Sequence, residues 1–418
     1  MSLFDDLSWR GLIAHSTDPE ALKHDLDCNK ISFYVGFDPT APSLHMGNLL
    51  QLILVRRFQA AGHSPILLVG GSTGLIGDPR QSSERNLNPL ETVHGWLERI
   101  RSQVSRFVSF EGDNPAIIVN NYDWTHSLST LDFLRDIGKH FSINRMLDRE
   151  VVKNRLESGI SYTEFSYVLL QSLDFLELHR RHGVVLQTGG SDQWGNITAG
   201  VDLIRRVTGN KVHALATPLV VKADGTKYGK TESGTLWLDE EMTSPYAFHQ
   251  FFLNAEDSMV GGYLRLFTDR SHEEIEDLER QTVESAHLRA AQRALADDLT
   301  DLVHSVAQRE AATQAAQAIF GQGALADLDL STLEAVTREL PGTSWERLEG
   351  RTVMDALAES QIFDSRAAVK RAVKEGGAYL NNERVVDLDR VLGDEDLMGG
   401  RVMIIRRGKK TLGAVKIG

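Results

Sequence analysis

A single cysteine, Cys28, stands in 418 residues. One thiol cannot build an internal disulfide framework or a thiolate metal site, and its scarcity fits a reducing compartment. No apolar run approaches the roughly 18–20 residues that a membrane span needs, so no membrane partner is expected. The opening Met1-Ser2-Leu3-Phe4-Asp5-Asp6 is acidic at once and lacks the basic-then-apolar pattern of a secretory leader. A cytoplasmic location is therefore the expectation. Positive charge is also in short supply: the formal net charge is −13, which argues against a uniformly basic nucleic-acid binder. No internal repeat or low-complexity tract is present.

What is present reads as an ordinary globular chain, 41% hydrophobic and 25% charged, long enough for two or three domains and at least one large core. Up to about Val221 short apolar strands alternate with helical stretches. The candidate strands are Ile31–Phe37, Pro65–Gly70, Ala116–Asn120, Val184–Thr188 and Val212–Val221. Helical spacing covers Asn48–Ala61, Pro89–Val108, Thr130–Gly138, Thr163–Arg181 and Asp192–Val207. This pattern implies an α/β fold with a parallel sheet covered on both faces. Ligands bind such sheets beyond the strands' carboxyl ends. From about Ser244 to Phe320 the pattern is helical and alanine-rich. Residues 321–350 lose periodicity and read as a linker. The last part, 351–418, mixes helices (Val353–Ala358, Ser365–Lys374) with short strands (Ala378–Leu380, Val402–Ile405).

Two distant segments carry most of the chemistry. His45-Met46-Gly47-Asn48 sits where the first strand turns into a helix, and Lys227-Tyr228-Gly229-Lys230-Thr231 lies in a polar loop, Lys222–Gly234. A helix start offers unpaired N–H groups and the positive end of a dipole, and lysines supply compact charge. Together they make a divided site for a triphosphate. Gly229-Lys230-Thr231 is not the end of a phosphate-binding P-loop, because the glycine that motif needs five residues earlier is Asp224.

On Thr163–Arg181, Tyr167, Gln171 and Asp174 share one face. That face is either solvated or meets a small polar molecule that satisfies it. Asp78, after the glycine-rich Gly70–Gly77, is either a turn-former or a partner for an amine. Asp192, in Gln187–Asn196, reads as a helix N-cap or as an acceptor for ribose hydroxyls. His179 and His182 suit a helix end better than a metal, and there is no Gly-x-Ser-x-Gly elbow. Between Arg401 and Gly418 lie Arg401, Arg406, Arg407, Lys409, Lys410 and Lys416 with no acidic residue. This is either a solvated tail or a limited phosphate-backbone contact.

Taken together these motifs resemble the class I aminoacyl-tRNA synthetases, whose H-I-G-H and K-M-S-K-S signatures match His45–Asn48 and Lys227–Thr231. Tyr34–Thr40, Gly77-Asp78-Pro79, Tyr167 with Gln171 and Asp174, and Gln187–Asn196 narrow the likeness to the bacterial tyrosyl-tRNA synthetases. The resemblance implies a Rossmann-like catalytic domain over 1–221 and then a lysine-loop segment with an α-helical anticodon-side domain over 222–320. It further implies a linker over 321–350 and a small α+β RNA-binding domain over 351–418, similar to ribosomal protein S-four. The implied reaction joins L-tyrosine and ATP into tyrosyl-adenylate and pyrophosphate, then moves tyrosine to the 3′-terminal adenosine of tRNA(Tyr).

Site roles follow from the same likeness. Tyr34 and Asp174 would meet the substrate phenol, Asp78, Tyr167 and Gln171 its ammonium, and Gln193 its carboxylate. Asp38, His45, Gly47, Asn48, Asp192 and Lys230 would line the ATP site. Thr40, His45, Lys227 and Lys230 would stabilise the phosphates during reaction. Arg366, Lys370, Arg371, Arg406, Arg407 and Lys409 would face RNA. ATP is a substrate; Mg²⁺ is implied with it, and no protein metal-ligand set is visible. A homodimer is also implied. Two departures stand out: Asn48 replaces the second histidine, and Gln81-Ser82-Ser83, with Arg80 and Arg85 nearby, replaces a loop lysine. Tryptophan specificity, an RNA-binding protein without activity, and a tRNA-independent adenylyltransferase are the competing readings.

Overall fold

The computed structural model describes residues 2–79, 89–157, 159–231, 234–320, 325, 328, 330–409 and 411–418. The loop singled out after Asp78 (Arg80, Gln81-Ser82-Ser83 and Arg85) lies outside them, as does the side chain of Lys230. The chain forms two compact units.

The first unit holds the residues up to Asp239 together with Gly261–Glu276. Its sheet is built from β1 (His15–Ser16), β2 (Ser32–Phe37), β3 (Ser64–Val69), β4 (Ile117–Asn120), β5 (Val184–Gly190) and β6 (His213–Thr217), in the order β1-β6-β5-β2-β3-β4. The strands from β6 to β4 run parallel, and only β1 is antiparallel. Their near-continuous apolar runs follow from helices covering both faces. These helices include Met46–Ala60, Leu90–Ser105, Tyr162–His182 and Trp194–Thr208. The chain order reverses between β2 and β5, which makes the carboxyl ends of these strands the switch point where ligands bind.

Three local readings differ from the sequence expectation. Strand β6 stops at Thr217 instead of Val221, because Pro218 has no N–H to continue the ladder. The stretch expected as one helix over Thr130–Gly138 is an α-turn, a π-turn at Phe133–Ile137 and a 3₁₀ turn at Gly138–His140. Within the lysine loop, β7 (Lys230–Thr231) pairs antiparallel with β8 (Gly234–Thr235).

Gly261–Glu276 is fastened to the N-terminal helix Leu3–Trp9. Arg10 donates to the carbonyls of Arg265, Thr268 and Arg270 at 3.3, 3.2 and 2.8 Å. Trp9 stacks on His272 with ring centroids 3.6 Å apart, and His272 pairs with Asp6 at 2.9 Å.

The second unit comprises Glu240–Val260 and Asp277–Gly418. Helices Pro245–Leu253, Ala290–Val303 and Val306–Ile319 fill its first part. The region expected as a linker carries a helix, Leu330–Arg338, and strand β9 (Gly342–Trp345). That strand pairs in parallel with the last strand of a five-stranded sheet, ordered β11-β10-β12-β13-β9. The others are β10 (Ala378–Leu380), β11 (Glu383–Arg384), β12 (Val402–Arg407) and β13 (Thr411–Ile417). Asn381 and Asn382, both at positive φ, make the tight turn between β10 and β11.

Strand β12 is buried on both faces. Val402 and Ile404 pack with Ala312, Ala315 and Ile319, while Met403 and Ile405 pack with Leu357 and Val369. The basic run is therefore no loose tail: residues 402–405 and 412–415 are buried, while Arg401, Arg407 and Lys409 are exposed.

Candidate active site

Tyr34 lies in mid-β2, opposite Ile66 of β3 and Gln187 of β5. It is 1% exposed, and its hydroxyl is buried without a hydrogen-bond partner. Burial, reinforced by the nearby Asp174 carboxylate, pushes this phenol well above its ordinary pKa, so it stays protonated and able to donate. Asp174 is buried as well. It accepts from Asn121 Nδ2 at 3.0 Å and from Trp124 Nε1 at 2.9 Å. Desolvation outweighs these donors and pushes its carboxyl up to about 7. An unsatisfied hydroxyl beside a carboxylate held by two N–H donors is a receptor for one more hydroxyl. Asn121 and Trp124 were not singled out from the sequence. Their signal was position, just past the carboxyl end of β4.

A second network spans the neighbouring strand ends. Asp38, at the end of β2, accepts from Thr73 Oγ1 and Tyr167 Oη, both at 2.6 Å. Gly70 is required there, because a Cβ on it would stand 2.1 Å from the Asp38 carboxylate. Asn121 Nδ2 also donates to Thr73 Oγ1 at 2.9 Å, so one chain of bonds joins Asp174 to Asp38. Asp78 accepts from Gln193 Nε2 at 2.8 Å and Asn196 Nδ2 at 3.1 Å. Gln171, on the Tyr167–Asp174 face, keeps a buried Oε1 without a partner. The residues singled out on that helix thus lie among polar groups of the strand ends, not on a solvated face. Asp192 and Thr40 are exposed.

The two signature segments meet. His45 is the N-cap of helix Met46–Ala60, its Nδ1 accepting from the Gly47 N–H at 3.0 Å. That bond leaves the ring proton on Nε2, a donor suited to an anion. Asn48 completes a capping box by accepting from the His45 N–H at 3.1 Å, so the departure from histidine has a structural use. Gln103 steadies the preceding strap by accepting from the Leu44 N–H at 2.8 Å. From the other side Leu236 donates to Gly229 at 2.9 Å and accepts from the Met46 N–H at 3.0 Å. Tyr228 is buried and stacks on Tyr263, centroids 4.0 Å apart, while Lys227 is exposed. An anion at this helix start would therefore lie beside the lysine loop.

In the second unit Lys370, Arg371 and Lys409 are exposed. Arg366 pairs with Asp355 at 2.7 Å. Arg406 lies 3.8 Å over the Tyr379 ring, and Arg407 reaches the Ile362 carbonyl at 3.2 Å. Three of the six basic positions are thus tied locally. Among the described residues no group of three or more His, Cys, Asp or Glu could hold a metal ion, and no helix is long and apolar enough to cross a membrane.

Comparison with known proteins adds to this geometry. Residues 26–321 match the family described as tRNA synthetases class I (W and Y), and residues 332–414 match the Tyrosine--tRNA ligase SYY-like C-terminal domain. The chain is 62% identical to the Tyrosine--tRNA ligase of Cutibacterium acnes over 413 residues, covering 99% of both chains. It is 56% identical to that of Streptomyces coelicolor over 418 residues, again 99% of both. Among solved structures it resembles a C-terminally truncated mitochondrial tyrosyl-tRNA synthetase of Coccidioides posadasii, with a TM-score of 0.66 and 30% identity, over 75% of this chain and 91% of that one. A signature helix start, a lysine loop bonded to it and matches over nearly the full length agree: the chain belongs to the class I aminoacyl-tRNA synthetases, in the tyrosine–tRNA ligase family.

Proposed function

We propose that the chain activates L-tyrosine with ATP and transfers it to tRNA(Tyr). The observation that carries the amino-acid choice is the buried, partnerless Tyr34 hydroxyl beside Asp174. A substrate phenol would donate to the Asp174 carboxylate and accept from Tyr34. Phenylalanine would leave both groups unsatisfied, a penalty for which this enzyme family is itself a standard example; tryptophan, whose indole N–H donates but cannot accept, would leave the Tyr34 hydroxyl unsatisfied. The substrate ammonium fits Asp78, Tyr167 and Gln171, and its carboxylate lies toward Gln193.

The substrate carboxylate oxygen attacks the α-phosphorus of ATP, and the bond to the bridging oxygen breaks to release pyrophosphate. No protein nucleophile is required; positioning and charge do the work. The helix start at His45, with Thr40, Gly47 and Asn48, receives the triphosphate. Lys227 and Lys230 follow the leaving pyrophosphate, which favours contacts that strengthen in the transition state. Asp38 lines the site and Asp192 takes the ribose. Mg²⁺ arrives with ATP as part of the substrate. In the second step a hydroxyl of the tRNA 3′-terminal ribose attacks the activated carbonyl, and AMP leaves.

The tRNA is held by the domain over 351–418, through Lys370, Arg371 and Lys409 with Arg366, Arg406 and Arg407. A homodimer is supported by apolar side chains left exposed in one stretch, among them Leu131 at 79%, Ile143 at 59% and Tyr162 at 67%. A cytoplasmic location fits the single, exposed thiol. The decisive experiment is ATP–pyrophosphate exchange with each amino acid, followed by charging of tRNA. Exchange with tyrosine alone supports the reading, and exchange with tryptophan or with none overturns it.

A further inference from the structure

Arg149 is a half-buried cation that none of the roles above uses. Its guanidinium donates to Asn196 Oδ1 and lies along Gly195, where even a Cβ would stand 3.4 Å from Nε. Asn196 is 2% exposed. Its amide nitrogen gives one bond to Asp78 Oδ1 at 3.1 Å and another to Gln193 Oε1 at 2.9 Å. Gln193 returns a bond to Asp78 Oδ2 at 2.8 Å, so Asp78, Gln193 and Asn196 form a closed ring.

An amide has two orientations related by a half-turn, and only one of them serves this ring. With its nitrogen toward Asp78, Asn196 donates twice; turned over, it would set an oxygen against a carboxylate. A cation on the amide oxygen makes the second orientation unavailable. Removing the cation would leave a buried carbonyl oxygen unpaired in the correct orientation, which lowers the preference for it.

We infer that Arg149 is a positioning residue, which locks the Asn196 amide so that Asp78 holds the geometry that receives the ammonium of the amino-acid substrate. In this role Arg149 acts through Asn196, to whose amide oxygen it donates. The inference rests on the proposed assignment of Asp78 to the ammonium.

Equilibrium binding of three ligands to the full chain tests it: L-tyrosine, L-tyrosinol (ammonium but no carboxylate) and 3-(4-hydroxyphenyl)propanoate (carboxylate but no ammonium). Arg149→Met should weaken tyrosine and tyrosinol by about tenfold, the scale of one charge-assisted hydrogen bond. The propanoate should bind as it does to the unaltered chain. Arg149→Lys, which keeps a donor and a charge, should recover most of the affinity. Should the methionine variant not fold, the lysine variant still shows the pattern, as a smaller loss confined to the two ammonium ligands. Equal weakening of all three ligands, a loss confined to the carboxylate-bearing ones, or no loss at all would overturn the inference. If the unaltered chain binds neither tyrosine nor tyrosinol, the substrate assignment fails instead.

Discussion

Gly229 of the lysine loop lies so close to Met46 of the first signature that a Cβ at position 229 would stand 2.5 Å from the Met46 Cβ. Gly229 also has φ +90°, a backbone region that side chains disfavour. The loop is therefore docked on the helix start by its own backbone, with Leu236 hydrogen-bonded to both. Placing Lys227 and Lys230 relative to His45 depends on this contact.

Gly229→Ala should separate the two segments. The left-handed backbone alone costs about 1–2 kcal/mol, and the clash with Met46 adds to it. Adenylate formation should slow by at least tenfold, while the tyrosine dissociation constant changes little. Single-turnover kinetics with and without saturating ATP measures both; an unchanged rate would show that the loop needs no such docking.

Lys230→Ala should slow adenylate formation far more than it weakens tyrosine binding, because the contact proposed for it is with departing pyrophosphate. An equal loss in both quantities would contradict the role.

Removing the Asn121 amide takes a donor from both Asp174 and Thr73. Hydrogen bonds to charged groups contribute about 1.5–3 kcal/mol, so Asn121→Ala should raise the tyrosine dissociation constant by about ten- to a hundredfold. ATP binding should be untouched. Calorimetric titration of each ligand separately distinguishes this from general destabilisation.

Asp174 sets a pH dependence. Burial raises its carboxyl to about 7, so the free protein holds it largely protonated below that pH. A phenol donates to the ionised form, and its binding therefore displaces a proton. Tyrosine affinity should rise with pH through about 6 to 8 and level off above, and Asp174→Asn should bind weakly with a flat profile. The sign for folding is opposite: a carboxyl raised on folding stabilises most at low pH, and that contribution falls as pH rises from about 4 to 7.

Charge reversal at Lys370, Arg371 and Lys409 should lower tRNA charging efficiency and flatten its salt dependence, leaving ATP–pyrophosphate exchange intact. Point changes are preferable to truncation at 351. A cut there would divide a sheet whose first strand, β9, lies upstream, and would uncover Ala312, Ala315 and Ile319. Unaltered charging by the reversed protein would remove RNA binding from this surface.

Much of this was legible from residues alone. Strands β2 to β5 were found because their apolar runs are continuous, and the helix carrying Tyr167 and Asp174 because its polar residues share a face. Strand β9 was not, since Gly342-Thr343-Ser344-Trp345 has neither periodicity nor an apolar run. It exists because an edge of β13 was open to pair with it. Likewise Thr73, Asn121, Asn196 and Arg149 are ordinary polar residues in sequence. Their importance comes from partners such as Asp78, which lies 118 residues from Asn196. Long-range pairs of this kind appear only once the strand ends have been brought together.

The fastening of Leu3–Trp9 to the stretch around Arg270 has a consequence for how the chain is made. Arg10 finds its carbonyl at Arg270 only 260 residues later. A nascent chain can assemble the parallel sheet soon after β6 emerges, yet its first helix must wait for a segment that arrives after Glu240–Val260 has already left for the other unit. Until then that helix is held only by earlier partners, Asp5 pairing with Lys23 and Asp6 with Arg57, and a nascent-chain protease would find the N-terminus less protected than the sheet.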